Sequence, residues 1–134
     1  MKELTITIHY ADGRMQLHLP AALLKMSVAN LKKVFRLLLE NTPWFEPNEK
    51  TVQVLDEYLP AWKDDNQEAW RDASREYQMG WQDEKYGGYS KDHLKEIKAE
   101  NRRLTTEVKQ AEKAFEKADK LLTAWAASKD KYLN

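Results

Sequence analysis

Apolar and polar residues alternate over the first nineteen positions of the chain. Leu4, Ile6, Ile8 and Tyr10 interleave with Thr5, Thr7 and His9, the two-residue period of a half-buried strand. Asp12-Gly13 is a type I′ turn signal, because both central positions of that turn need positive φ. A two-residue turn there pairs Tyr10 with Met15, Ile8 with Leu17 and Ile6 with Leu19, so every apolar side chain falls on one face. Two strands alone are barely stable in water, and a further element must cover that face. Ser27 is a good N-cap, and Val28, Leu31, Val34, Phe35 and Leu38 follow at helical spacing, which predicts a helix to about Asn41. Thr42-Pro43 stops it. Pro43-Trp44-Phe45-Glu46-Pro47 reads as a short rigid connector whose two aromatics are expected to plug the junction between modules, with an exposed anchor for a partner as the alternative.

Asn48 is the expected cap of the next helix, which carries Val52, Leu55, Leu59 and Trp62. Pro60 should kink or restart it. The pattern resumes through Trp70, Ala73, Tyr77 and Trp81 and stops at Tyr86-Gly87-Gly88-Tyr89. Ser90 then caps a final helix without internal Gly or Pro from Lys91 to about Tyr132, about 60 Å long. A compact chain of 134 residues has a radius of gyration of only about 14 Å, so an elongated molecule is expected.

The last helix carries a heptad seam. Leu94, Ile97, Asn101, Leu104, Val108, Ala111, Phe115, Ala118, Leu122 and Trp125 are separated by alternating steps of three and four. A parallel homodimer would set Glu107 against Glu112 and His93 against Lys98, neither attractive. An antiparallel fold-back within the chain sets Trp81 near Leu94, Tyr77 near Ile97, Trp70 near Leu104 and Trp62 near Ala111, with Asn101 beside Ser74. Charge agrees with it: residues 46–89 hold five basic and eleven acidic groups, a net −6, and residues 90–134 hold eleven and eight, a net +3. The fold class is therefore α+β, mostly α: an N-terminal β-hairpin packed on a helix, then a long antiparallel, coiled-coil-like helical hairpin. Residues 1–45 form the ββα module and residues 46–134 the helical hairpin, with helices at about 49–85 and 91–132, together one elongated domain.

Composition narrows the chemistry. Lys and Arg total 22 and so do Asp and Glu, which disfavours a globally cationic nucleic-acid binder and a globally anionic DNA mimic alike. Absence of cysteine removes disulfides and thiolate chemistry, and fits a reducing, cytoplasmic compartment. No apolar stretch approaches a membrane span, and Met1-Lys2-Glu3-Leu4 leads into a strand, so neither a signal peptide nor a membrane is expected. His9 and His18, diagonal neighbours on the outer face in the expected register, lack the further ligands a zinc site needs and read as solvated. No nucleophile, metal-binding or phosphate-loop motif is present. Catalytic residues, metal and cofactor are all expected to be absent, and the protein is expected not to be an enzyme.

Charge segregation on the two long helices is the unusual feature. Lys91, Lys95, Lys98, Arg102, Lys109, Lys113, Lys117 and Lys120 fall within an arc of roughly 100°, nearly opposite the apolar seam. Like charges one turn apart each cost about 0.2–0.5 kcal/mol where mixed rows would gain as much. On the preceding helix Asp65, Glu68, Asp72, Glu76 and Asp83 form an acidic stripe over about 80°, a weaker candidate binding surface by local mimicry of backbone phosphates, and more simply expected to meet basic groups of the last helix. The ridge holds no aromatic to stack on bases and little Arg to read them.

These features point to a non-enzymatic protein-interaction module. Its partner is expected to be a protein or nucleoprotein complex, in the manner of small phage or mobile-element proteins that bind and inhibit nucleic-acid-handling host or defence complexes, as anti-CRISPR proteins do. The rival expectations are a nonspecific DNA- or RNA-binding accessory protein using the basic ridge and a structural coiled-coil adaptor. The sequence is also compatible with a homodimer.

Overall fold

A computed structural model describes residues 2–133. The element order is β1 (Leu4–Tyr10), β2 (Gly13–Leu19), α1 (Ala21–Lys25), α2 (Val28–Asn41), a single 3-10 turn (Thr42–Trp44), α3 (Glu46–Tyr86) and α4 (Lys91–Leu133). The fold is α+β and mostly helical: the two-stranded antiparallel hairpin packs on helices, and α3 and α4 pack against each other. The chain forms two compact units, Met1–Lys63 with Lys117–Asn134, and Asp64–Glu116.

In the first unit the hairpin keeps the expected face but not the expected register. Leu4 pairs with Leu19, Ile6 with Leu17, Ile8 with Met15 and Tyr10 with Gly13, so Ala11-Asp12 rather than Asp12-Gly13 sits at the tip. The shift is two residues, which preserves side-chain parity and hence the apolar face. It also adds Leu4 to the paired ladder and lays the Tyr10 ring over Gly13, where a β-carbon would be 3.4 Å from the phenol oxygen. Ile6, Ile8 and Leu19 are buried against Leu31, Phe35 and Leu38 of α2 and Leu55, Leu59 and Trp62 of α3. Ala118, Leu121 and Trp125 of α4 complete this core, with Phe35 and Trp125 edge to face at 5.1 Å.

The helix caps follow the sequence in two places and depart from it in a third. The Asn30 amide donates to Ser27 Oγ at 3.2 Å, and the His93 amide to Ser90 Oγ at 3.4 Å. Asn48, expected to cap α3, lies inside its first turn and is fully buried. Its carboxamide instead pairs with the β1 main chain: the His9 N–H donates to Oδ1 at 2.8 Å and Nδ2 donates to the His9 carbonyl at 2.7 Å. Thr51 Oγ1 shares its proton between the Pro47 carbonyl of its own helix at 3.1 Å and the Thr7 carbonyl at 3.2 Å. The first turns of α3 thus satisfy main-chain groups on β1 that face away from β2, much as a third strand would.

Pro60 does not break α3, which runs through it without interruption. Burial of Leu59 and Trp62 on either side outweighs the lost main-chain bond. Register in this unit is pinned by Lys63 Nζ to Asp119 at 2.9 Å and by Asp56 Oδ1, which accepts from Trp125 Nε1 at 2.8 Å and from Lys129 Nζ at 2.6 Å. The connector aromatics behave differently from one another. Phe45 is tilted against the His9 ring, whereas Trp44 is 82% exposed and plugs nothing.

The second unit is thinner: among its described residues only Asn101 and Leu104 are buried. Here α3 and α4 run antiparallel as expected, in a different register. Trp70 stacks on Phe115 at 5.4 Å, not on Leu104. Asn101 meets Gly80 and Glu84, not Ser74, through hydrogen bonds from Nδ2 of 2.9 Å each. The offset is close to one heptad. Seam positions recur every seven residues, so periodicity alone satisfies both registers equally. Gly80 decides between them, because it is the place on α3 where an Asn side chain can approach the main chain.

Candidate interaction surface

The predicted ridge divides between the two units. In the second unit Lys91, Lys95, Lys98, Arg102, Lys109 and Lys113 are all exposed on α4. Among the described residues, none of these six lies within 4.0 Å of a carboxylate. The seam residues Asn101 and Leu104 point into the helix pair, and that fixes the ridge outward. In the first unit Lys120 is exposed, but Lys117 is only partly so. Its ammonium donates to the Leu24 carbonyl at 3.1 Å, in the last turn of α1, where an orphan carbonyl favours a cation.

Arg103, adjacent to the ridge in sequence, shows what the six lack. Its guanidinium bonds Glu100 and Glu107 on its own helix, with Nε reaching Glu100 at 3.0 and 3.1 Å. The hydrogen bond from Arg103 pulls the Glu100 carboxyl below its ordinary pKa; slight desolvation opposes this and the guanidinium charge adds to it. Glu100, then Glu107, and least Glu76 on α3 push the Arg103 pKa upward. Arg103 is internally neutralised, and Arg102 is not.

The acidic stripe is exposed throughout, at Asp65, Glu68, Asp72, Glu76 and Asp83. The expected ion pairs with α4 do not form: among the described residues none of the five is within 4.0 Å of a cation.

Two aromatic residues adjoin the ridge that spacing along α4 alone could not place there. Tyr77 and Trp81 of α3, expected inside the seam, remain 37% and 41% exposed. They line a cavity of about 320 Å³ whose other walls include Lys98, Arg102, Asn101 and Glu84. Lys85 Nζ lies 4.7 Å from the Trp81 ring centre.

His9 and His18 do not adjoin. His9 faces Arg14 and His18 faces Thr5, four residues apart along the ladder, or about 13 Å. His18 Nδ1 is instead 3.0 Å from Thr5 Oγ1. Among the described residues no helix is long and apolar enough to cross a membrane. Compared with known proteins, the chain matches no family model, no curated sequence and no solved structure.

Proposed function

We propose that this protein is a non-enzymatic interaction module whose α4 ridge docks an anionic partner. One observation carries the proposal: six cations of the 64–116 unit share an exposed helix face, and among the described residues no carboxylate lies within 4.0 Å of any of them. Self-repulsion of that face is relieved when a partner supplies the counter-charge. The partner we favour is an acidic protein or nucleoprotein surface, and the action we assign is inhibition of a nucleic-acid-handling complex in the cytoplasm. Phages and mobile elements encode small inhibitors of this kind, anti-CRISPR proteins among them. That assignment rests on the charge pattern of a small neutral chain.

A second reading has its own support. Tyr77 and Trp81 beside Lys98 and Arg102 combine ring faces with cations, the pairing that single-stranded nucleic acid uses for stacking and backbone contact.

The test compares the parent protein with the quadruple reversal Lys95→Glu, Arg102→Glu, Lys109→Glu and Lys113→Glu. Each is captured on beads with bacterial lysate and titrated with labelled single-stranded and duplex oligonucleotides. The proposal expects the parent to hold a discrete partner that the reversed variant loses, with circular dichroism unchanged. Oligonucleotide binding by the parent, lost in Trp81→Ala as well, selects the nucleic-acid reading. Equal retention of partner by parent and reversed variant overturns both.

A further inference from the structure

A second cationic feature lies in the first unit, where sequence spacing gave no warning because its residues come from two distant segments. Lys32, Lys33 and Arg36 of α2 and Lys131 of α4 line one cavity of about 380 Å³. Ala124, Ala127 and Ser128 line it from α4, so short side chains leave the space that the long cations surround. No Asp or Glu lines it. Glu40 of α2 is engaged by Arg36 Nε at 3.5 Å and by the Tyr132 hydroxyl at 3.3 Å. That contact braces Arg36 through Nε and leaves its terminal nitrogens for a bidentate partner.

The two helices bearing these groups are fixed to each other by buried packing, with Phe35 of α2 against Trp125 of α4. The cations therefore converge on one place from rigid supports, and they repel one another across it. On α2 Arg36 lies four residues from Lys32 and three from Lys33, two like-charged pairs that an empty groove does not stabilise. The ridge of the other unit is a convex row suited to an extended surface. This is a concavity, of a size that holds one compact ligand.

We propose that the α2–α4 groove is a binding site for a compact polyphosphate, a ligand with three or more phosphate charges clustered together. Lys32, Lys33 and Lys131 would supply point charges, Arg36 a forked donor pair and Ser128 a hydroxyl donor. The site is independent of the ridge and of the function proposed for it.

Calorimetric titration of the intact protein with sodium tripolyphosphate near physiological salt tests the proposal. Saturable one-to-one binding is expected, weakened about tenfold or more in the variant Lys32→Gln, Arg36→Gln, Lys131→Gln, which alters only exposed side chains. Ala127→Glu, which sets a carboxylate at the groove wall, should also abolish binding, with the fold checked by circular dichroism. The quadruple ridge reversal should bind tripolyphosphate like the parent, and orthophosphate or sulfate at matched ionic strength should bind far more weakly. ATP binding as tightly as tripolyphosphate supports a site for the phosphate chain alone. Tighter ATP binding supports the site with a nucleoside contribution. Absence of tripolyphosphate binding, equal binding by the groove variant, or groove-dependent binding of an oligonucleotide but not of tripolyphosphate each overturns the proposal.

Discussion

Asn101 donates from Nδ2 to the Gly80 carbonyl at 2.9 Å, and a β-carbon at position 80 would sit 2.1 Å from Asn101 Oδ1. A glycine inside a helix costs roughly 1 kcal/mol against alanine, so its presence here reflects contact and not local propensity. Gly80→Ala should therefore destabilise the protein despite improving helix propensity. In an Asn101→Ala background the obstruction is gone, and the same substitution should stabilise by about 0.5–1 kcal/mol. Thermal unfolding of the four proteins in this cycle checks the change of sign. Equal effects of Gly80→Ala in both backgrounds would contradict the observed register.

Asn48 joins α3 to the outward main chain of β1 through two hydrogen bonds to His9. Asn48→Ala should cost about 2–4 kcal/mol, since the amide and carbonyl of His9 both lose their partners. Amide exchange at His9 should accelerate before the rest of the hairpin responds. If exchange at His9 is unaffected, the bridge does not restrain β1.

Asp56 organises the other end of the same unit by accepting from both Trp125 and Lys129. Asp56→Ala leaves the indole N–H of a residue that is 1% exposed without its acceptor. Denaturant titration should show a loss of about 1–3 kcal/mol. Lys129→Ala should cost much less, because that pair is partly solvated.

Glu100 offers a pH test. Its carboxyl is held below the ordinary value chiefly by the Arg103 hydrogen bond. A depressed folded-state pKa stabilises above the unfolded value, and that contribution is lost as pH falls through the folded one. Site-resolved titration by carbon-detected NMR should show the Glu100 midpoint rising toward its ordinary value in Arg103→Gln. The stability difference between parent and variant should be present at neutral pH and vanish in acid. A Glu100 midpoint unmoved by the substitution would contradict the pairing.

Those four contacts also show what the sequence could and could not reveal. Apolar parity marked the hairpin face, and the heptad steps from Leu94 to Trp125 marked the seam, because burial imposes a period on its own element. Register is a relation between elements, and the periods themselves are blind to it. A two-residue slip of the hairpin and a one-heptad slip of the helix pair both leave the pattern intact. Gly80, isolated in a helical run, was the available signal for the second, since a lone glycine there marks close approach. The interaction surface obeyed the same rule. The six ridge cations were legible because they lie on one helix, whereas Tyr77 and Trp81 lie on the other and adjoin Lys98 and Arg102 only in the folded pair. Lys32, Lys33 and Arg36 came to Lys131 across nearly one hundred residues of chain, with no periodic trace of the meeting.

Docking through the ridge makes binding depend on salt. Affinity for the captured partner, or for an oligonucleotide if that is what binds, is measured across salt concentrations for the parent and the quadruple reversal of Lys95, Arg102, Lys109 and Lys113. The parent should lose affinity steeply as salt rises, because each neutralised anion releases counterions. The reversed variant should bind at least about a hundredfold more weakly and with a clearly shallower slope. A reversed variant that matches the parent in both affinity and slope would show that the ridge is only a solvated helix face.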